Sequence, residues 1–171
     1  MKTGKAVEYN IKQAQIGDKV IIRNLLQLYL YDMTEFEERD RPLNKSGEYN
    51  YKYLDHYWAE KDRYPYIFFN GKEIAGFAFV RKVKSHYSVA EFFVLRQFRR
   101  HGLGLRWATE IIQKHPGEWK IDFLNKNEIA AKFWGEVAAK VAGDNIKEGR
   151  LNKIASYLRF SVGGLKGAKP L

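Results

Sequence analysis

Ser88-Val-Ala-Glu91-Phe-Phe-Val-Leu95 is followed by Arg96-Gln-Phe-Arg99-Arg-His-Gly102-Leu-Gly104 and then by Leu105-Arg-Trp-Ala-Thr-Glu-Ile-Ile-Gln-Lys-His115. The first segment is a short apolar run of β-forming residues and reads as a largely buried strand. The last carries Leu105, Ala108, Ile111 and Ile112 at helical spacing. Between them lies a turn holding Arg99, Arg100 and two glycines. A glycine-bearing turn that feeds a helix exposes backbone N–H groups with no partner inside the helix. Those donors and the positive end of the helix dipole favour a phosphate. Glycine removes the Cβ that would keep the phosphate from the backbone.

The loop that holds nucleoside triphosphates needs Gly-Lys-Ser/Thr, and here Gly104 precedes Leu105 and Arg106. The dinucleotide fingerprint needs three glycines where this turn has two. What remains is Arg99-x-x-Gly102-x-Gly104, which resembles the acetyl-coenzyme A signature of the GNAT acetyltransferase superfamily, Gln/Arg-x-x-Gly-x-Gly/Ala. The competing reading is an ordinary strand-to-helix turn with glycines for geometry.

The 171 residues, 45% of them apolar, suit one domain with a real core, residues 1–171. The absence of cysteine excludes disulfides, thiolate metal sites and an acyl-cysteine intermediate. No run approaches a membrane span and Met1-Lys-Thr-Gly-Lys5 lacks a signal-peptide core, so the expectation is a soluble cytoplasmic protein without a membrane partner. The net charge of +10 suits polyanionic partners, but the cations are dispersed and general solubility accounts for most of them.

Taken in order, Ala6 to Ala14 reads as a first strand around Val7, Tyr9 and Ile11. Asp18 is an N-cap for an apolar helix from Lys19 to about Phe36. Glu35 to Gly47 is a polar loop, either simply solvated or an acidic pocket wall that attracts a cationic amine. Tyr49 to Asp62 reads as a second helix. Pro65 to Phe69 and Ile74 to Val83 form a hairpin about Asn70-Gly71. Beyond His115-Pro-Gly117 come a strand from Trp119 to Leu124, a turn at Asn125 to Asn127, and an amphipathic helix through Ile129, Phe133, Trp134, Val137 and Val141. Asn145 to Lys153 has no clear reading, Tyr157 to Val162 is a last strand, and Gly163 to Leu171 is a frayed tail.

This order resembles the GNAT fold over most of the chain, and the chain is also similar to a branch of bacterial predicted acetyltransferases. The resemblance implies an α+β, three-layer α/β/α architecture whose central sheet is mixed and mostly antiparallel. It also implies an acyltransferase that moves an acetyl group from acetyl-CoA to an amine, a small molecule or a protein amino group. A second local match is Asn127-Glu-Ile-Ala130 followed by Phe133-Trp134. By this resemblance, backbone groups of Phe92, Phe93 and Val94 pair with the pantetheine arm. Arg100, His101, Gly102, Leu103, Gly104 and Leu105 present N–H groups to the pyrophosphate, and Arg99 steadies the turn or assists with phosphate charge. Asn127 bonds the cofactor arm, unless it is only a helix N-cap, and Phe133 packs beside it. A bulge at the end of the strand opens the site. Trp134 stands where a tyrosine often protonates the leaving thiolate, and an indole is no useful acid. The Gly-Phe that often closes that helix is missing.

Acetyl transfer needs a deprotonated amine, a polarised thioester and a shared orientation. Direct attack suits a chain without cysteine. Glu91 is the candidate base, against a salt bridge or a solvated face, and the backbone N–H of Val94 or Leu95 is the candidate oxyanion donor. His56, His86, His101 and His115 lack metal-ligand spacing. Two other functions compete. One is a basic nucleic-acid-binding module, against which the core-like spacing of the aromatics argues. The other is a GNAT-fold domain that binds acyl-CoA without catalysis, prompted by Trp134. The sequence is compatible with a homodimer.

Overall fold

The structure, a computed structural model, describes residues 9–163. The expected strand from Ala6 is described from Tyr9 on; Ala6 to Glu8 and the tail beyond Gly163 lie outside the described residues. In chain order the elements are β1 (Tyr9–Gln13), α1 (Lys19–Met33), α2 (His56–Ala59), β2 (Arg63–Asn70), β3 (Glu73–Val83) and β4 (His86–Val94). There follow α3 (Leu103–Lys114), β5 (Gly117–Leu124), α4 (Glu128–Ala142), β6 (Ile146–Arg150) and β7 (Ala155–Val162).

The strands form one seven-stranded sheet in the order β1-β2-β3-β4-β5-β7-β6. Every pairing is antiparallel except β4 with β5, which are joined by the crossover through α3. Side chains alternate across the sheet. Phe68, Ala78, Val80 and Val94 pack with Trp107, Ile111, Trp134 and Val137 of α3 and α4. Ile67, Phe77, Phe79 and Phe93 pack with Ile22, Leu25, Leu26 and Leu30 of α1. Two cores on opposite faces make the expected three layers. Among the described residues, no helix is long and apolar enough to cross a membrane.

Three local readings differ. Tyr49 to Asp62 is helical only at His56–Ala59. Gln27 explains much of this: its amide accepts from Tyr49 N at 2.7 Å and donates to Tyr49 O at 3.0 Å, so the backbone of Tyr49 is held by a side chain of α1 and not by a helix. Leu43 also bridges to Tyr49. The charged segment after Gly143 contains β6, an edge strand paired with β7. Its lysine, glutamate and arginine are exposed, so it lacks the alternation that reveals a half-buried strand. The hairpin turn is Gly71-Lys72, since Asn70 still pairs with Glu73.

Candidate functional site

β4 and β5 pair only at His86–Glu118 and Tyr87–Trp119. Past Tyr87 they diverge, while β5 stays paired with β7 as far as Leu124. The wedge between them is a cleft of about 530 Å³. Its walls come from α1 (Tyr29, Asp32, Met33), β4 (Phe92, Phe93, Val94), the turn and first residues of α3 (Arg99, Arg100, Gly102, Gly104, Leu105) and α4 (Asn127, Ala130, Phe133, Trp134).

A bulge aims the residues of β4. Phe79 pairs with Glu91 and Val80 with Val89, which leaves Ala90 as the extra residue. The sequence places the bulge at the strand's end; it lies four residues earlier than Val94 and therefore acts on Glu91. Val89 packs in the α3 core and Ala90 in the α1 core. The extra residue then keeps Glu91 on the α1 side as well, and without it Glu91 would face α3.

There Glu91 is half-buried and lies outside the cleft lining, and the Tyr51 hydroxyl donates to its Oε1 at 2.9 Å. Burial raises its pKa above the ordinary carboxylate value. The nearby Tyr29 hydroxyl, the hydrogen bond from Tyr51 and the charges of Arg41 and Arg81 oppose that rise without cancelling it. Neither a surface ion pair nor a solvated face describes this carboxylate. Tyr29 and Tyr51 were not among the expected site residues. They lie 62 and 40 residues from Glu91 in sequence, and no local pattern links them to it.

At the mouth of the cleft, Gly102 is the N-cap of α3 with φ +75°, a left-handed conformation suited to glycine, and no side chain caps the helix. The first backbone bond of the helix runs from Arg106 N to Gly102 O. The N–H groups of Leu103, Gly104 and Leu105 are thus uncapped at the cleft mouth. Arg100 also has positive φ, +66°, which turns the backbone just before this end. The Leu103 side chain is buried in the core, so only its backbone is offered, and the His101 side chain is exposed outside the cleft lining.

Gly104 is informative because the fold does not demand it. A Cβ built there would sit 3.6 Å from Phe133 and 3.7 Å from Val94, ordinary van der Waals distances. Glycine is destabilising relative to alanine in a helix, by up to roughly 1 kcal/mol in its interior, so helix propensity does not favour it here. Packing does not compel the glycine; the methyl group would project into the cleft lining beside the uncapped N–H groups.

Arg99 holds the turn together. Its Nε donates to Val94 O at 2.7 Å, its Nη2 meets Asp32 Oδ2 at 2.8 Å, and its guanidinium lies 5.4 Å from the Phe93 ring centre. Arg96 binds the other Asp32 oxygen at 2.7 Å. Burial pushes the Asp32 carboxyl up, but the two arginines outweigh it and hold the pKa below the usual value. The Leu95 N–H donates to Ala75 O at 2.8 Å, so it is not free to act as an oxyanion donor. By the alternation of an antiparallel ladder, Phe93 then faces β3 while the backbone groups of Phe92 and Val94 face the cleft. Val94 O is taken by Arg99, which leaves both N–H groups and the Phe92 carbonyl.

On α4, Asn127 is the N-cap: its Oδ1 accepts from Ala130 N at 2.9 Å. Its Nδ2 makes no hydrogen bond among the described residues. The Phe133 ring lies 5.4 Å from Phe92, and Trp134 is buried edge-on to Phe92 at 5.3 Å.

A second cavity, about 630 Å³, adjoins the first at Phe36. It lies between residues 36–42, Leu124 to Lys126, and Lys153 with Ile154. Its carboxylates, Glu37, Glu38 and Asp40, are matched by Arg39, Arg41, Lys126 and Lys153, and Glu37 is paired with Arg41. The wall is mixed in charge rather than acidic.

Residues 28–138 match the model of the acetyltransferase (GNAT) family. By sequence the chain matches no curated protein. Among solved structures it is similar to an acetyltransferase from Thermus thermophilus, with TM-score 0.65, 9% identity, and coverage of 90% of this chain and 97% of the other. It is similar to the spermidine N-acetyltransferase of Vibrio cholerae, solved with CoA and spermine (TM-score 0.63, 13% identity, 90% and 95% covered). It is also similar to the ribosomal-protein-S18-alanine N-acetyltransferase of Escherichia coli (TM-score 0.59, 13% identity, 96% and 99% covered). At these identities the likeness is one of fold.

Proposed function

Since the chain belongs to the acetyltransferase (GNAT) family, we propose that it is a single-domain N-acetyltransferase that moves an acetyl group from acetyl-CoA to an amine by direct attack. The observation that carries this reading is Gly104: an uncapped helix start with a glycine that packing does not require, beside an open strand edge. The uncapped N–H groups from Leu103 to Leu105 take the pyrophosphate, with the charge of Arg100 at hand. Phe92 and Val94 offer backbone groups to the amide arm, as an edge strand does to an added strand. The Asn127 amide donates to the same arm, and Phe133 packs beside it.

Bound there, acetyl-CoA supplies the activated acetyl group. Glu91 acts as the base that removes the amine's proton, since its raised pKa brings it nearer to neutrality than an exposed glutamate. Of the two expected oxyanion donors, Leu95 is occupied, and the N–H of Val94, which faces the cleft unbonded, takes the role. The acceptor enters from the cavity walled by residues 36–42 and Lys153. One structural neighbour is named for spermidine, a polyamine, and an amine acceptor suits a carboxylate base. The mixed charge of this cavity favours an amine that also carries polar or anionic groups over a bare polycation.

The test is a thermal melt with and without acetyl-CoA for the natural chain and for Gly104→Glu. Ligand at about 100 times its dissociation constant stabilises the fold by about 2.7 kcal/mol. The natural chain is expected to shift upward and the variant not to shift. No shift in a folded natural chain overturns the reading. A shift without thiol release across a broad amine panel leaves a binding domain and not an enzyme.

A further inference from the structure

The α1 face of the sheet carries a polar cluster that the chemistry above does not use and that lines neither cavity. Arg81 of β3 stands opposite Ser88 of β4 and opposite Arg63 of β2. Residues directly opposite in a ladder share a face, and Val80 packs in the α3 core, so these three face α1. Phe79, two residues before Arg81 on that face, pairs with Glu91. Arg81 is thus the diagonal neighbour of Glu91, about 7–8 Å away at the backbone and within reach of two long side chains. Tyr57 stacks on Phe79 with ring centres 3.7 Å apart.

The cluster is short of acceptors. Arg63 is paired with Glu60. Arg81 makes no ion pair and no hydrogen bond among the described residues, and its Nε is buried without a partner. The Tyr57 hydroxyl is likewise buried and unpartnered, in a side chain only 2% exposed. Of the four such buried side-chain atoms among the described residues, two therefore flank Phe79. Ser88 is 6% exposed, and its hydroxyl makes no hydrogen bond among the described residues. Unpaired buried polar groups are destabilising, and a guanidinium directly opposite a second one adds like-charge repulsion. Stability alone favours an apolar side chain at position 81.

We propose that Arg81, with the hydroxyls of Ser88 and Tyr57, holds the carboxylate of the acceptor, which is therefore an amino acid whose amine lies at Glu91; this rests on the acetyl-transfer reading above. Arg81 as a residue is half-buried, so its Nη end still meets solvent while its Nε is shielded. A guanidinium fork bonds both oxygens of a carboxylate through two N–H groups. One unpaired cation matches one carboxylate. A phosphate dianion would bring a second charge, and Arg63 is already taken by Glu60. An amine without the carboxylate leaves Arg81 unpaired, and a site built for a polar group rejects the analogue that lacks it.

Product analogues test this whatever side chain the acceptor carries. The probes are the N-acetyl forms of the standard α-amino acids, of β-alanine and of γ-aminobutyrate, each compared with its uncharged carboxamide. They are added to the natural chain with coenzyme A present, screened by thermal melts and measured by calorimetry. At least one acid is expected to bind on the order of 10²-fold more tightly than its amide. Arg81→Met should remove that margin and should melt at the natural temperature or above, since it breaks no bond within the protein. Ser88→Ala should narrow the margin severalfold, and it carries the test if Arg81→Met does not fold. Acids and amides that bind alike, or no binding by any acid, overturn the carboxylate site. So does inorganic phosphate that competes as tightly as the acids. In those cases bound coenzyme A, and thiol release from acetyl-CoA with other amines, leave acetyl transfer standing. No coenzyme A binding by the natural chain removes the acetyl-transfer reading, and this assignment with it.

Discussion

The mouth of the cleft and the cluster around Glu91, at the far end from it, are built in opposite ways. At the mouth, the turn from Arg99 to Leu105 is a local object whose offered groups are backbone N–H, shaped by Gly102 and Gly104 and tied down by Arg99. At the far end, Glu91 is surrounded by side chains from distant parts of the chain: Tyr29 of α1, Tyr51 of the connecting loop, and Arg41. Backbone donors cannot titrate and are not removed by substitution, so the mouth suits binding of a fixed charge. Side chains in a half-buried setting have adjustable pKa values, so the far end suits proton transfer. A variant at the far end should therefore change rate and spare affinity, and one at the mouth should do the reverse.

Glu91→Gln is the largest break on the chemical side. It keeps an acceptor for Tyr51 but cannot take a proton, so kcat should fall on the order of 10³-fold while the Kd for CoA stays within about twofold. A fall in affinity equal to the fall in rate would end the division between the two ends. The pH dependence has a defined sign. The carboxylate is the working form, so kcat of the natural chain falls as pH drops through the raised pKa of Glu91. The same shift makes its ionisation unfavourable to the fold. The natural chain therefore loses stability relative to Glu91→Gln as pH rises from about 4.5, the unfolded value, through the folded one. Melts of both proteins across that range read this directly.

Gly104→Ala tests the mouth. The added methyl meets Phe133 and Val94 at ordinary distances, and alanine favours the helix by roughly 1 kcal/mol, so Tm should hold or rise. Affinity for CoA should fall on the order of 10²-fold, about 2.7 kcal/mol, because the backbone donors lose close approach. Stability gained together with affinity lost would mark the glycine as kept for its ligand. Melts and calorimetry on the same preparation separate the two.

The same contrast governs what could be read before the structure was known. The strand, the glycine turn and the helix after it are contiguous, so residue types at fixed spacing in Arg99 to Gly104 convey the shape and suggest a ligand to test. The hairpin and the two cores likewise follow from alternation in Pro65 to Val83 and from helical spacing in α1, α3 and α4. Glu91 was recognisable as a candidate, but its direction was not, because that depends on the one extra residue at Ala90. Tyr51 was read as part of a helix, since nothing near it shows that Gln27 would hold Tyr49. Edge strand β6 was hidden by its charges. What escaped reading depends on contacts between residues far apart in the chain.

His115 provides a titrating group at the opposite end of α3, away from the cleft. It is 8% exposed, its Nε2 is hydrogen-bonded to the Tyr66 hydroxyl at 2.7 Å, and burial lowers its pKa to about 4. Below about 6.5 the unfolded chain takes up a proton here and the folded chain does not. Stability should therefore decline as pH falls from about 6.5 to about 4, by about 3 kcal/mol from this group. His115→Gln should be less stable at pH 7 but should lose that slope in pH-dependent melts. Its kcat profile should keep the acid limb set by Glu91. If the acid limb vanished with His115, the rate would be reporting unfolding and not the base.

Asn127 belongs to both descriptions and gives the smallest and finest test. Its Oδ1 caps α4 by accepting from Ala130 N, while its Nδ2 makes no hydrogen bond among the described residues and the residue lines the cleft. Serine can accept the same backbone N–H but has no amide donor to reach the pantetheine arm. Asn127→Ser should therefore leave Tm nearly unchanged and weaken CoA by a few fold, about 1 kcal/mol. Asn127→Ala removes cap and donor together, so it should show the same loss of affinity plus about 1 kcal/mol of stability. If both variants lose equal stability and neither loses affinity, Asn127 is a cap alone, and the α4 wall contributes packing through Phe133 without a hydrogen bond. If serine loses affinity at full stability, one residue serves the fold through its oxygen and the ligand through its nitrogen.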